Sequence, residues 1–295
     1  MLPSVEFQSV TEPVGDFPSS DTYQGTVDED AVAAFALATN DRNLGYLDGV
    51  GVPPLFTATL ILRCEWESQS RGAERYNVLG ARGSVHGQHD VHFHGPVRPR
   101  TALSWSGATF SAHQTRGGVL VVQRIMITDQ AGSALVEHFW SSFHIAGKID
   151  KELGAKPADH SFPEESRQRL IGTKAVTVDR DQAFRYAGVS GDHAGHAISD
   201  DIAQFEGYPS KILQGMCTFA LASGALVELV ADGDPYRLGR LAVRFARPAF
   251  PRSDLEVNVY DAGRTADGRR AFAFEAVQDD VAVLRHGRVE LVSEH

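Results

Sequence analysis

Cysteine is nearly absent: Cys64 and Cys217 are the only two in 295 residues. Two thiols cannot make a disulfide framework for a chain of this length, so a reducing compartment is expected. Each lies in an apolar run, where cysteine behaves as a small buried hydrophobe. Long apolar runs are missing too, and no uncharged stretch approaches the roughly 20 residues a membrane span needs. The opening residues, MLPSVEFQSVTEPVGDFP, lack the basic-then-apolar order of a signal peptide. A cytoplasmic location without a membrane partner is the expectation. Positive charge is also scarce, 28 Lys and Arg against 38 Asp and Glu, for a net charge of -10. A broad nucleic-acid surface needs the opposite balance. Arg98/Arg100 and Arg244/Arg247/Arg252 could hold a phosphate-bearing ligand or be ordinary surface arginines.

What the chain does have is an internal repeat. TVDEDAVAAFALATND from Thr26 lies over TVDRDQAFRYAGVSGD from Thr177, an offset of 151 residues. Thr26, Val27, Asp28, Asp30, Ala36 and Asp41 fall on identical residues. VHFHGPVRPRTAL from Val91 then lies over VRFARPAFPRSDL from Val243, an offset of 152. Here Val91, Phe93, Pro96, Pro99, Arg100 and Leu103 find identical partners. Two matches in the same order at nearly one offset point to duplication.

Each copy reads alike. A Thr-Val strand end leads into a helix capped by Asp28 or Asp179, which ends near Asn40 or Gly191. A long apolar helix follows, from about Pro54 to Trp66 in the first copy and from Gly215 to Val230 in the second. Alternating segments then predict strands, with Val91 and Phe93 on one face and His92 and His94 on the other. Hairpin signals stand at Arg116-Gly117-Gly118, Gln130-Ala131-Gly132 and Ala266-Asp267-Gly268. One long helix with four or five antiparallel strands, twice over, is an α+β pattern. The expected organisation is a unit over residues 1–146, a polar linker over 147–172 and a second unit over 173–295.

The sharpest candidate chemistry is YAGVSGDHAGHAISDDIA, from Tyr186. It places the Asp192 carboxylate and the imidazoles of His193 and His196 in one short loop. Downstream, Gly215 opens the second long helix, where free amides and the positive dipole end converge. One such donor is worth about 3–4 kcal/mol to a carbonyl oxygen that gains charge in a transition state. His86, His89, His92 and His94 resemble a metal site by count, but no carboxylate or cysteine in the sequence completes a tight cluster, and no metal is expected.

These residues carry a resemblance. Unit two is similar to the MaoC-like hydratases and dehydratases, including the type 2 enoyl-CoA hydratases. Their motif runs Tyr, a few residues, Ser-Gly-Asp-x-Asn-Pro-x-His, an Ala, Gly-Phe/Tyr, then Ile-Leu-His-Gly-Leu/Met-Cys-Thr. This chain supplies Tyr186, Ser190, Gly191, Asp192, Ala203, Gly207, Tyr208, Ile212, Leu213, Gly215, Met216, Cys217 and Thr218 at that spacing. Four positions depart from it, beginning with the family's Asn-Pro pair, which falls on Ala194-Gly195. The family's loop histidine falls on Ala197, with His196 one residue early, and the histidine before Gly215 is Gln214.

The resemblance implies a double hot-dog fold, two tandem units each with a long helix wrapped by an antiparallel sheet. It implies a hydratase/dehydratase that interconverts 2-enoyl and 3-hydroxyacyl thioesters of coenzyme A or an acyl carrier protein, with no further cofactor. Asp192 and His196 are the catalytic candidates; Ser190, Gly191, Gln214, Gly215 and Met216 are the substrate-binding ones. Either the loop is rearranged to bring His196 into the site, or the site has lost its base. Thioester hydrolysis and catalytically silent acyl-thioester binding are the alternatives. Unit one starts its long helix at Pro53-Pro54, and proline has no amide hydrogen to donate. It is expected to support the acyl chain. Sheet pairing is expected within the chain, with a further homodimer left open.

Overall fold

A computed structural model describes residues 19–292. The stretch MLPSVEFQSVTEPVGDFP, read above for a signal peptide, lies outside the described residues. Unit one contains β1 (Tyr23–Thr26), α1 (Glu29–Ala38), α2 (Leu44–Leu47), the long α3 (Ala58–Tyr76), β2 (Ser84–Phe93), β3 (Ala102–Thr115), β4 (Gly118–Asp129) and β5 (Ala134–Ile145). Unit two contains β6 (Leu170–Val176), α4 (Gln182–Ser190), α5 (Gly195–Ile198), α6 (Asp200–Phe205) and the long α7 (Gly215–Val230). Its remaining strands are β7 (Leu238–Phe245), β8 (Leu255–Arg264), β9 (Arg270–Gln278) and β10 (Val281–Leu291). None of the described helices is long and apolar enough to cross a membrane.

The strands make one antiparallel sheet in the order β1-β3-β4-β5-β2-β7-β10-β9-β8-β6. Read inward from either edge, the halves run in the same order. They meet where β2 pairs with β7, from Gln88↔Arg244 to His92↔Arg240. Adding 152 to Gln88 and His92 gives Arg240 and Arg244, so the two end pairs exchange about the central pair Asp90↔Ala242. That is the register of a local two-fold axis, and the chain has the double hot-dog fold.

The two long helices fill the concave side. In α7 nearly every side chain is buried, including Met216, Phe219, Leu221, Leu226 and Val230. A helix apolar all round needs cover on most sides, and the wrapped sheet supplies it. The first long helix differs from expectation at both ends. Residues Pro53 to Thr57 form tight turns, with Phe56 N–H donating to the Pro53 carbonyl at 3.0 Å, and α3 begins only at Ala58. It then runs ten residues past Trp66, because ESQSRGAERY still presents Ser68, Gly72 and Tyr76 to the interior.

The helix caps also diverge. Asp28 caps α1, its Oδ1 accepting from Ala31 N–H at 2.8 Å. Asp179 does not cap α4, which starts at Gln182; it pairs with Arg185 instead. Arg185 also donates to the Leu37 carbonyl at 2.9 Å, and Asn40 Nδ2 donates to the Thr177 carbonyl at 2.8 Å. These bonds lock α1 and α4 together across the two-fold. The linker is no free tether. It is bridged to unit one at Leu79↔Lys148 and Ala112↔Leu153. It then docks on unit two, where His160 Nδ1 donates to the His286 carbonyl at 2.7 Å. Strand β6 begins at Leu170, three residues before the boundary placed from the sequence.

A polar chain crosses the otherwise apolar interior. A bulge between His86 and Gln88 puts His86 and His89 on the same side of β2. His89 Nδ1 lies 3.3 Å from His86 Nε2, and His89 Nε2 lies 3.0 Å from His138 Nδ1. His138 Nε2 is 3.0 Å from the Thr57 hydroxyl. A neutral ring has one N–H and one acceptor nitrogen, so each inner ring donates to one neighbour and accepts from the other. Burial keeps all three rings uncharged, holding His86 and His138 down at about 3 and His89 well below its usual value.

Acid lability follows. These rings take up protons in the unfolded chain from about pH 6.5 downward but resist them when folded. Their contribution is complete above that value and is lost as pH falls toward about 3. Glu65, which burial lifts to about 7, works in the opposite direction between 7 and 4.5 and cancels about one of the three. Urea unfolding should therefore show stability falling by on the order of 2–3 kcal/mol per pH unit near pH 5. His89→Gln should shallow that slope by about 1.4 kcal/mol per pH unit. An unchanged slope in the variant would assign the effect to other groups.

Candidate functional site

A cavity of about 410 Å³ opens at the start of α7. Its walls come from both units: Asp192, His196, Gln214, Gly215 and Phe245 from unit two, His86 and Trp140 from unit one. Helix α4 leads into it. Gly191 ends that helix at φ 74°, a left-handed conformation glycine adopts without a Cβ clash. The chain then turns sharply, with Asp192 N–H donating to Ser190 Oγ at 3.1 Å and Ala194 N–H donating to Asp192 Oδ1 at 3.2 Å. Burial lifts the Asp192 carboxyl above the ordinary aspartate range, against the Ala194 amide and the His196 and His193 rings that favour its charge. A carboxyl held this way is better suited to accept and return a proton than an exposed aspartate.

His196 lies on the same cavity, with Nδ1 2.8 Å from Glu206 Oε2 and its ring edge-on to Tyr208. An acceptor at Nδ1 leaves Nε2 as the nitrogen that can take a proton. Ala197 is fully buried in the hydrophobic core. The position where the family motif has histidine thus points away from solvent, and the short helix α5 presents His196 instead.

Gln214 precedes α7 in extended conformation, and its side chain does not cap the helix. Its Nε2 donates to the carbonyls of Ala183 and Asp192 at 3.1 and 3.0 Å, tying the helix start to the Asp192 turn. Its Oε1 is buried without a protein partner. Gly215 is the first residue of α7, so its amide has no acceptor within the helix. A Cβ there would stand 3.2–3.5 Å from three carbons of the Phe245 ring, which glycine avoids.

Of the candidates from the sequence, Asp192, His196, Gln214, Gly215 and Met216 line the cavity, while Ser190 and Gly191 do not: they build the turn behind Asp192. His193 is exposed and lies outside the wall. Glu206, Trp140 and His86 went unassigned in the sequence reading. Glu206 is ten residues from His196, a separation with no motif value, and the other two arrive from unit one through the β2–β7 pairing. Arg247 stands at the cavity wall, whereas Arg244 is engaged by Gln88 at 2.7 Å and Arg100 by Glu29 at 2.9 Å. The histidines facing away from the helices do have carboxylates beside them. His92 meets Asp90 at 3.3 Å and His94 meets Glu137 at 3.2 Å, but those carboxylates pair with Arg240 and Arg124.

The two-fold places a second, smaller cavity of about 200 Å³ at the start of α3, lined by Pro53, Pro54, Thr57, Phe93, Pro96 and Val97 among others. Phe93 and Pro96 are the repeat partners of Phe245 and Pro248 in the first. Asp41 does not line this cavity: its carboxyl lies against Gly224 of α7. No carboxylate is among the residues lining it, and Pro53 and Pro54 on its wall have no amide hydrogen to donate.

Residues 162–280 match the family described as MaoC-like domain. The 3-hydroxyacyl-thioester dehydratase Y of Mycobacterium tuberculosis is 28% identical over 230 residues, covering 75% of this chain and 77% of that protein. The probable enoyl-CoA hydratase 2 of Dictyostelium discoideum is 25% identical over 151 residues, 51% of this chain and 51% of its own length. The chain thus spans about half of that relative. Among solved structures, a MaoC-like dehydratase from Phytophthora capsici superposes with a TM-score of 0.80, covering 96% of this chain and 99% of that one at 20% identity. At that identity the likeness is one of fold.

Restoring the family register should not help this protein. Ala197→His would force an imidazole into a filled core, costing roughly 1–3 kcal/mol by overpacking. Urea unfolding should show that loss, with no gain in any activity the wild type has. A stable, more active variant would mean that the loop had read the family register all along.

Proposed function

We propose, from the double hot-dog fold and the MaoC-like match over residues 162–280, that the chain interconverts 2-enoyl and 3-hydroxyacyl thioesters, carried on coenzyme A or an acyl carrier protein, in the cytoplasm. The observation that carries the reading is convergence: a buried carboxylate, an oriented imidazole and a helix-start amide face one cavity. In the hydration direction, a water held between Asp192 and His196 Nε2 gives a proton to the Asp192 carboxylate as the water oxygen bonds to C3 of the enoyl thioester. That proton is the one later returned to C2. The electron pair moves to the thioester oxygen, which faces the Gly215 amide at the positive end of α7. Protonation at C2 completes the addition, and the reverse sequence expels the C3 hydroxyl as water. Glu206 fixes the His196 ring, and Gln214 ties the Asp192 turn to the helix start.

Labour is divided in this proposal. Unit two (173–295) performs the chemistry. Unit one (1–146) closes the cavity with His86 and Trp140 and supports the acyl chain. The turns over Pro53 to Thr57, which delay α3 to Ala58, and the lack of a carboxylate among the residues lining the smaller cavity argue against a second reaction centre there.

Purified protein should change the absorbance of the conjugated thioester when given 2-enoyl or 3-hydroxyacyl substrates. Release of free thiol without that change would point to thioester hydrolysis, and saturable binding without turnover to a silent acyl-thioester binder. Asp192→Asn should lower kcat by roughly 10²–10⁴-fold with an unchanged circular dichroism spectrum. Asp41→Asn should lower it little. The acid limb of kcat/KM should also titrate above the ordinary aspartate value near 4, losing activity as pH falls and Asp192 protonates. The opposite ranking of the two aspartate variants would move the active centre to unit one.

A further inference from the structure

The proton-transfer reading gives no role to the polar chain that joins the two cavities. Thr57 lines the smaller cavity and His86 lines the larger one, with His138 and His89 fully buried between them. At its far end His86 lies flat on Trp140, ring centroids 3.7 Å apart at 10°, and touches Phe245 at 4.6 Å. Phe245 is the ring whose carbons occupy the space beside Gly215. A continuous set of contacts therefore runs from Thr57 in unit one to the first amide of α7 in unit two.

Packing alone does not explain these side chains. A leucine or phenylalanine would fill the same space without acid sensitivity or polar atoms to satisfy. The chain adds rotational constraint. Each inner ring gives one hydrogen bond and takes another, so turning either one breaks both where no water can replace them. The His89 contact on one side and the Trp140 stack on the other hold the His86 ring against Phe245.

We propose that His86 is a positioning residue for the Gly215 amide, held by His89, His138 and Thr57, so that a side chain on the wall of the smaller cavity belongs to the machinery of the larger one. The catalytic consequence rests on the hydratase reading; the mechanical one does not. Thr57→Val keeps the shape of the side chain and removes the hydroxyl that anchors His138. It should lower kcat roughly tenfold while leaving KM within about twofold, as small displacements of a preorganised donor do. Thr57→Ser should restore kcat. His86→Phe, which keeps the ring stack and loses the bond to His89, should reproduce the Thr57→Val effect.

Activity is not the only readout. The Gly215 amide cross-peak in an ¹⁵N–¹H spectrum should move in Thr57→Val and return in Thr57→Ser. An unmoved peak would overturn the proposal, as would a moved peak with unchanged kcat, or a kcat loss that serine does not rescue. Should the wild type turn over no thioester, the hydratase reading would fall, and the position of the Gly215 peak in the Thr57 variants would still decide whether the chain acts on the helix start.

Discussion

Five antiparallel residue pairs between β2 and β7 join the two half-sheets, and the cavity at α7 exists only because of them. Neither half closes that cavity by itself, since Ser84, Val85 and His86 reach it from the end of β2. A slip of one residue in this pairing would turn His89 and Val91 out of the interior and Asp90 into it. The register is held by more than backbone bonds. Arg240 grips Asp90 with two nitrogens at 2.9 and 2.6 Å and reaches Glu290 at 3.3 Å, all three groups buried. Buried charges of this kind are expensive to desolvate and are tolerated only when fully partnered. A shifted register would leave them unpaired, so their main contribution is to specify the alignment.

On that frame the same topology supports two unlike ends. Both units bring a long helix up to a strand that closes with Phe and Pro, at Phe93 and Pro96 or Phe245 and Pro248. In unit two the approach is Gln214-Gly215, which exposes an amide and ties the Asp192 turn to it. In unit one it is Pro53-Pro54, followed by turns that delay α3 to Ala58. Asp41, repeat partner of Asp192, accepts from Asn43 N–H at 3.0 Å and lies against α7. Burial lifts its carboxyl too, so a raised carboxyl alone does not distinguish the two ends.

Much of this was legible in the sequence, and the limits have physical causes. The repeat exposed the two units because Asp28 and Asp179, the strand residues and the terminal prolines are retained in both copies, although only Asp28 still caps a helix. The start of α3 was placed too early because proline is compatible with the first turn of a helix, and nothing local distinguishes that case from a tight turn. Its end was placed too soon because ESQSRGAERY is polar, although one stripe of it still faces inward. The linker's docking sites and the Asp279-Asp280 reversal, both residues at positive φ, were likewise not anticipated. Of the residues lining the cavity, Asp192 and Gly215 stand at the motif spacing, and His196 stands one residue short of it. His86 and Trp140 do not, since they reach the cavity through a pairing between residues some 150 positions apart and through a bulge that sequence alternation does not reveal.

The linker, fastened to unit one at Lys148 and Leu153 and to unit two at His160, has a consequence for how such a protein can change over generations. In an assembly of two identical chains every substitution is made twice, so a proline that silences one site silences both. Once the two copies share a chain, inheritance treats them separately. A proline pair such as Pro53-Pro54, ahead of α3, then falls on one half only and leaves Gln214-Gly215 at the start of α7 untouched. Side chains such as Thr57 and His138 can likewise be fixed in one half without being imposed on the other.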